Sequence, residues 1–195
     1  MQRLHQEYSQ TLDFEVISGG MIRGSRIGAI GEVAPYIAKA YKDVEKRTGV
    51  RFGEGFLQGI LAEGTAIFTS IPAAMAMATF KSLQPHNAVS FAHALQNAIY
   101  RDGIEPSNHQ AFGKYAEEFG IAADDFLQQM LSPFAEERAE AEFDLCARLG
   151  ITGFPTVLVQ QDSQLTMIAQ GYTEYDELKS RLDTVLAIPQ QESAA

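Results

Sequence analysis

The chain changes its periodicity once, at Gly150, and that change limits the folds open to it. From Glu32 to Gly150 nearly every stretch carries helical spacing. Beyond Gly150 two short β-rich runs appear, followed by a last amphipathic helix. The chain must therefore combine a long all-helical block with a small strand-bearing part.

Within the block, starts and stops are marked by local chemistry. A helix over Val33 to Thr48 has Pro35 in its first turn and Gly49 as its stop. A short one covers Gly53 to Ala62. An Ala/Met-rich helix opens at Ser70 with Pro72 early and runs to about Leu83. Ala88 to Arg101 places Phe91, Leu95 and Ala98 on one stripe. Ser107 with Gln110 fits a capping box, opening a helix that Gly120 closes. Ala123 to Leu131 is a further short helix. The last helix of the block starts at Ser132 and Pro133, with an expected inner stripe of Phe134, Arg138, Ala141, Leu145 and Leu149.

Before the block, Leu4, Tyr8 and Leu12 share one helical face. Asp13 ends that helix, Phe14 to Ser18 reads as a short strand, and a glycine-rich loop runs from Met21 to Gly31. After Gly150, Thr156 to Val159 and Leu165 to Ala169 read as a hairpin turned at Gln161, Asp162 and Ser163. Glu174 to Ala187 is the closing helix, with Leu178, Leu182 and Val185 inward. The tail from Pro189 to Ala195 reads as frayed.

Composition excludes several functions. The net charge is -10, from 15 Lys+Arg against 25 Asp+Glu, so nucleic acid is not an expected partner. No apolar run is long enough for a membrane span, which argues against a membrane partner. The start has no secretory pattern, so the chain as written is expected to be cytoplasmic. Its single cysteine, Cys146, cannot form an internal disulfide. His5, His86, His93 and His109 form no ligand-spaced pair, so no metal is expected. The glycines between Gly19 and Gly31 spell no nucleotide-binding motif; Arg23 and Arg26 there could meet an anion, but a solvated loop is the simpler reading.

The most informative stretch is Gly150-Ile151-Thr152-Gly153-Phe154-Pro155-Thr156-Val157-Leu158-Val159. A helix stops at glycine, a short loop holds Gly153, and a proline stands at the mouth of a strand, where its missing N–H costs least. Together with the element order, this stretch resembles the C-terminal half of a thioredoxin fold. Tyr100-Arg101-Asp102-Gly103-Ile104-Glu105-Pro106-Ser107 and Glu117-Glu118-Phe119-Gly120-Ile121 are similar to the helical insertion of DsbA-like proteins. The Phe14 to Gly31 segment, with Gly19-Gly20-Met21, looks like the second strand and following loop of the subfamily that includes FrnE-type oxidoreductases and hydroxychromene-carboxylate isomerases.

The resemblance implies an α/β, thioredoxin-like fold with a large all-helical insertion. Residues 1–31 and 151–195 would form the thioredoxin-like parts and 32–150 the insertion. It implies thiol-disulfide exchange, with a protein thiol or disulfide, or glutathione, as partner, and no further cofactor. It implies a cis Pro155, with Phe154 offering its backbone to an extended substrate beside Pro155 and Thr156. The family's Cys-x-x-Cys and first strand have no counterpart here, so no catalytic residue is assigned and redox exchange by the chain as written is expected to be inactive. Met1 is accordingly expected to be an internal methionine, with the true start roughly twenty residues upstream.

Two other functions stay open: a glutathione-dependent transferase or isomerase of the kappa or chromene-isomerase type, and a non-catalytic binding domain. A homodimer is allowed. Cys146 reads first as a small buried hydrophobe and second as a reactive thiol near Pro155. Met21, Met75, Met77, Phe80 and Phe91 could line an apolar groove, although such spacing more often builds core.

Overall fold

The computed structural model describes residues 1–187, and the expected frayed tail from Pro189 lies outside them. The helices are α1 (Gln2–Tyr8), α2 (Ala34–Thr48), α3 (Leu61–Glu63), α4 (Ile71–Leu83), α5 (Ala88–Tyr100), α6 (His109–Glu117), α7 (Ala123–Met130), α8 (Pro133–Arg148) and α9 (Tyr175–Leu186). The strands are β1 (Gly28–Ala29), β2 (Ile67–Phe68), β3 (Thr156–Gln161) and β4 (Gln164–Gln170). The chain divides into two compact units, Met1–Asp144 and a second that begins at Leu145.

In the first unit, α4 is the central helix. Its residues Ala74 to Phe80 are all buried. A helix apolar on every side must be enclosed by others. Phe91, Phe112, Phe126, Met130, Ala139 and Phe143 surround it in one core, and Phe80 stacks on Phe91 with ring centroids 3.9 Å apart. Met75, Met77, Phe80 and Phe91 therefore belong to packed core, while Met21 stands half-exposed apart from them. The groove expected from these five residues does not form.

A second core in this unit gathers Ile30, Phe56, Ile60, Leu61, Phe68 and Ile99. It depends on a close backbone approach. A Cβ on Gly53 would lie 2.0 Å from the Arg101 carbonyl oxygen, and one on Gly103 would lie 2.1 Å from that of Gly55. Only glycine allows these segments to meet. The expected helix over Gly53 to Ala62 winds wide at Gly55–Ile60, with a kink at Gly59, before tightening into α3.

Three further expectations are corrected. The helix after Ser107 is capped by Asn108, whose side chain accepts from the Ala111 N–H at 3.3 Å. On α8 the buried residues are Ala135, Ala139, Phe143 and Cys146, and Phe134 and Leu149 are exposed. Ala135, Ala139 and Phe143 join the core around α4. Among the described residues the Phe14 to Ser18 segment forms no ladder, whereas Gly28–Ala29 pairs antiparallel with Ile67–Phe68.

Two of that segment's backbone groups are met by side chains instead. The Lys81 ammonium donates to the Val16 carbonyl at 2.6 Å, and the Ser18 N–H donates to the Glu142 carboxylate at 2.7 Å. Lys81 and Glu142 are themselves paired, with side chains 16% and 14% exposed. Further along, Ile22 and Ser70 exchange two hydrogen bonds, of 2.9 and 2.8 Å. Arg23 donates to Glu140 at 2.9 Å and lies over the Phe143 ring, so it is not free to receive an anion. Arg26 is exposed.

Removing one member of a largely buried ion pair leaves the other charge uncompensated. Lys81→Met should destabilise the protein by about 2–4 kcal/mol. Arg51→Ala, which removes an ion pair whose arginine side chain is 81% exposed, should cost under ~1 kcal/mol. Urea denaturation of both variants checks the contrast.

Candidate functional site

The proline loop belongs to the second unit, and its geometry begins at the end of α8. Gly150 takes a left-handed conformation at φ +67°. The Ile151 N–H then donates to the Cys146 carbonyl at 3.0 Å and the Gly150 N–H to that of Ala147 at 3.1 Å. This reciprocal pair satisfies two helix-end carbonyls and turns the chain sharply.

The loop is then fixed from its other side. The Thr156 hydroxyl donates to the Gly153 carbonyl at 2.7 Å, closing a turn around Phe154 and Pro155. The Pro155 carbonyl accepts from the Gly171 N–H at 2.7 Å, just beyond the Thr156–Gln170 pair of the hairpin. The Phe154–Pro155 peptide bond is cis. Phe154 is half-buried and Pro155 exposed. Among the described residues neither the N–H nor the C=O of Phe154 has a hydrogen-bond partner.

The hairpin that carries the loop has its own anchor. Its register shifts between Val157 and Leu158, leaving Ile168 as the extra residue of β4. Arg181 of α9 donates to the Ile168 carbonyl at 2.7 Å and is itself held by Glu177 at 2.5 Å. Buried Leu178 and Leu182 place α9 against β4, where Ile168 and Ala169 are buried. Among the described residues β3 has β4 on one side and no strand on the other.

Cys146 is 4% exposed, which agrees with the small-hydrophobe reading of this residue. His93 is half-buried on α5. Among the described residues no three His, Cys, Asp or Glu side chains are grouped to hold a metal ion. Among them, too, no helix is long and apolar enough to cross a membrane. Sequence reasoning singled out Phe154, Pro155 and Thr156, which the structure brings together in one fixed turn. It missed Gly171 and Arg181, because their roles are long-range and leave no local pattern.

A glycine-stopped helix, a cis-proline at the mouth of a strand, an antiparallel hairpin and a closing helix define the C-terminal part of a thioredoxin-like domain. The family model for the DSBA-like thioredoxin domain matches residues 58–183, and the chain belongs to that family. Among solved structures it is similar to a candidate protein disulfide isomerase from Nitrosomonas europaea, with 27% identity, a TM-score of 0.83, and 95% of this chain and 87% of that one covered. It is also similar to the cytosolic disulfide reductase DsbM from Pseudomonas aeruginosa, with 25% identity, a TM-score of 0.74, and coverage of 90% and 85%. The same DsbM with GSH matches at 22% identity and a TM-score of 0.72, again covering 90% and 85%. No curated protein matches the chain significantly.

The loop geometry predicts two measurements. Thr156→Val removes the hydroxyl that closes the turn and should cost about 1–2 kcal/mol. Cys146 should react with a thiol reagent only in denaturant, and rapid labelling of the native protein would contradict its burial.

Proposed function

We propose that the Phe154–Pro155–Thr156 turn holds an extended thiol- or disulfide-bearing peptide, with Phe154 supplying the backbone pairing. The observation that carries this reading is the free N–H and C=O of Phe154 in a turn otherwise hydrogen-bonded on both sides. An extended peptide offers the matching donor and acceptor, as in strand addition at a sheet edge. Because the turn is already fixed, a ligand loses little entropy in ordering it.

Glutathione has this chemistry, being a short peptide that carries one thiol. The likeness of fold to DsbM, whose structure with GSH is known, supports testing it first. Family membership supports thiol-disulfide exchange as the reaction class. The 195 residues contain one cysteine, Cys146, and it is buried. Exchange needs an exposed thiolate to attack and a second thiol to resolve the mixed disulfide. Acting with these residues alone, the protein is therefore a substrate-holding domain, inactive in insulin reduction.

Titration calorimetry with glutathione and with a cysteine-containing peptide tests this. Binding is expected, weakened roughly fivefold or more in Thr156→Val, which loosens the turn. Insulin reduction by the chain should not exceed the uncatalysed rate. Binding unaffected by Thr156→Val would overturn the assignment of the site. Turnover of glutathione with a transferase substrate would favour the kappa-type reading instead.

A further inference from the structure

In the first unit α2 lies at the surface and has no fully buried residue. Ala34, Ile37, Tyr41 and Glu45 recur at helical spacing and form its half-buried side. Ala34 and Ile37 pack against the second core, and the Tyr41 ring meets that of Phe52 at 5.7 Å. The Glu45 carboxylate is used on that side. It accepts from the Phe52 N–H at 2.9 Å and from Arg51 at 3.1 Å.

The open half of the helix carries two stripes. Lys39, Lys42 and Lys46 repeat at helical spacing and are exposed. Among the described residues none of the three has an ion-pair partner, and Lys42 lies over the Tyr41 ring at 5.8 Å. Beside them run Tyr36, which is 74% exposed, and Val33 and Val44, also exposed. Of the acids of α2, Glu45 is turned to the packed side and Asp43 stands on the open one. Single exposed apolar residues are ordinary, but a line of them along a line of like charge is what an interaction face requires.

Charge complementarity selects the occupant. Ammonium groups are donors without acceptors, so the lysine stripe requires an anion. The chain as a whole carries a charge of -10, which makes this face a local exception. The helix is about 22 Å long, whereas charges in physiological salt are screened beyond about 8 Å. A ligand no larger than the face therefore meets mostly lysine. A lipid sheet or a long polyanion would reach past it to the acidic remainder of the surface. The apolar stripe further requires apolar side chains beside the acids, which a simple polyanion lacks. We propose that the open half of α2, through Tyr36, Lys39, Lys42, Val44 and Lys46, docks a short acidic amphipathic helix of a partner protein. Laid along α2, such a helix meets both stripes with the same spacing.

Fluorescence anisotropy of the full chain with a dye-labelled, cysteine-free peptide tests this. The peptide has about 15 residues, with glutamates along one helical stripe and leucines along the next. Half-saturation is expected below about 100 μM at low ionic strength, weakened roughly tenfold or more in about 0.5 M salt. Combining Lys39→Gln, Lys42→Gln and Lys46→Gln changes only exposed side chains and should weaken binding roughly tenfold. Tyr36→Ser with Val44→Ser should weaken it roughly fivefold. Lys114→Gln, at an exposed position on α6, should stay within about twofold of the parent. Unchanged binding in the triple lysine variant would overturn the proposal, as would equal binding of a peptide whose leucines are replaced by serine. Tighter association with vesicles of phosphatidylserine and phosphatidylcholine than with the peptide would assign the face to a lipid surface and overturn it too.

Discussion

Extended backbone must find partners for its N–H and C=O groups, and this requirement organises the structure. Lys81 and Glu142 meet it at the Val16 carbonyl and the Ser18 N–H by reaching across from α4 and α8. Their mutual pairing keeps two largely buried charges compensated while each also serves a backbone group. The same helices bury Phe80 and Phe143 in the main core. One ion pair thus couples core packing to the path of the extended segment.

In the second unit the same requirement is met by different means. A glycine-terminated helix, a threonine hydroxyl and the Gly171 amide fix the turn before β3. Arg181 satisfies the carbonyl at the bulge of β4. Against that background the unpaired groups of Phe154 stand out. A fixed turn with an open donor and acceptor is a pre-formed half of a hydrogen-bonded pair, which is what a peptide-binding element needs.

How far the sequence revealed this depended on whether a signal was local. Gly150, Gly153 and Pro155 act through their own backbones, so the turn and the hairpin beyond it were legible. The Phe14 to Ser18 run has strand composition, but a ladder needs a neighbour that composition does not reveal. Toward the end of the helical block the large residues Phe134 and Leu149 suggested an inner face, whereas Ala135, Ala139 and Phe143 are the ones buried in the core. The β1–β2 pair is two residues long on each side, too short for any period to show.

The open N–H of Phe154 is tested most directly by amide-resolved hydrogen exchange. In the free protein the Phe154 N–H should exchange fast, while the Ile151 and Gly171 amides, which donate to Cys146 and Pro155, should exchange slowly. Saturating glutathione should slow exchange at Phe154 by roughly tenfold or more. Slow exchange at Phe154 without ligand, or glutathione binding that leaves Phe154 unprotected, would contradict the account.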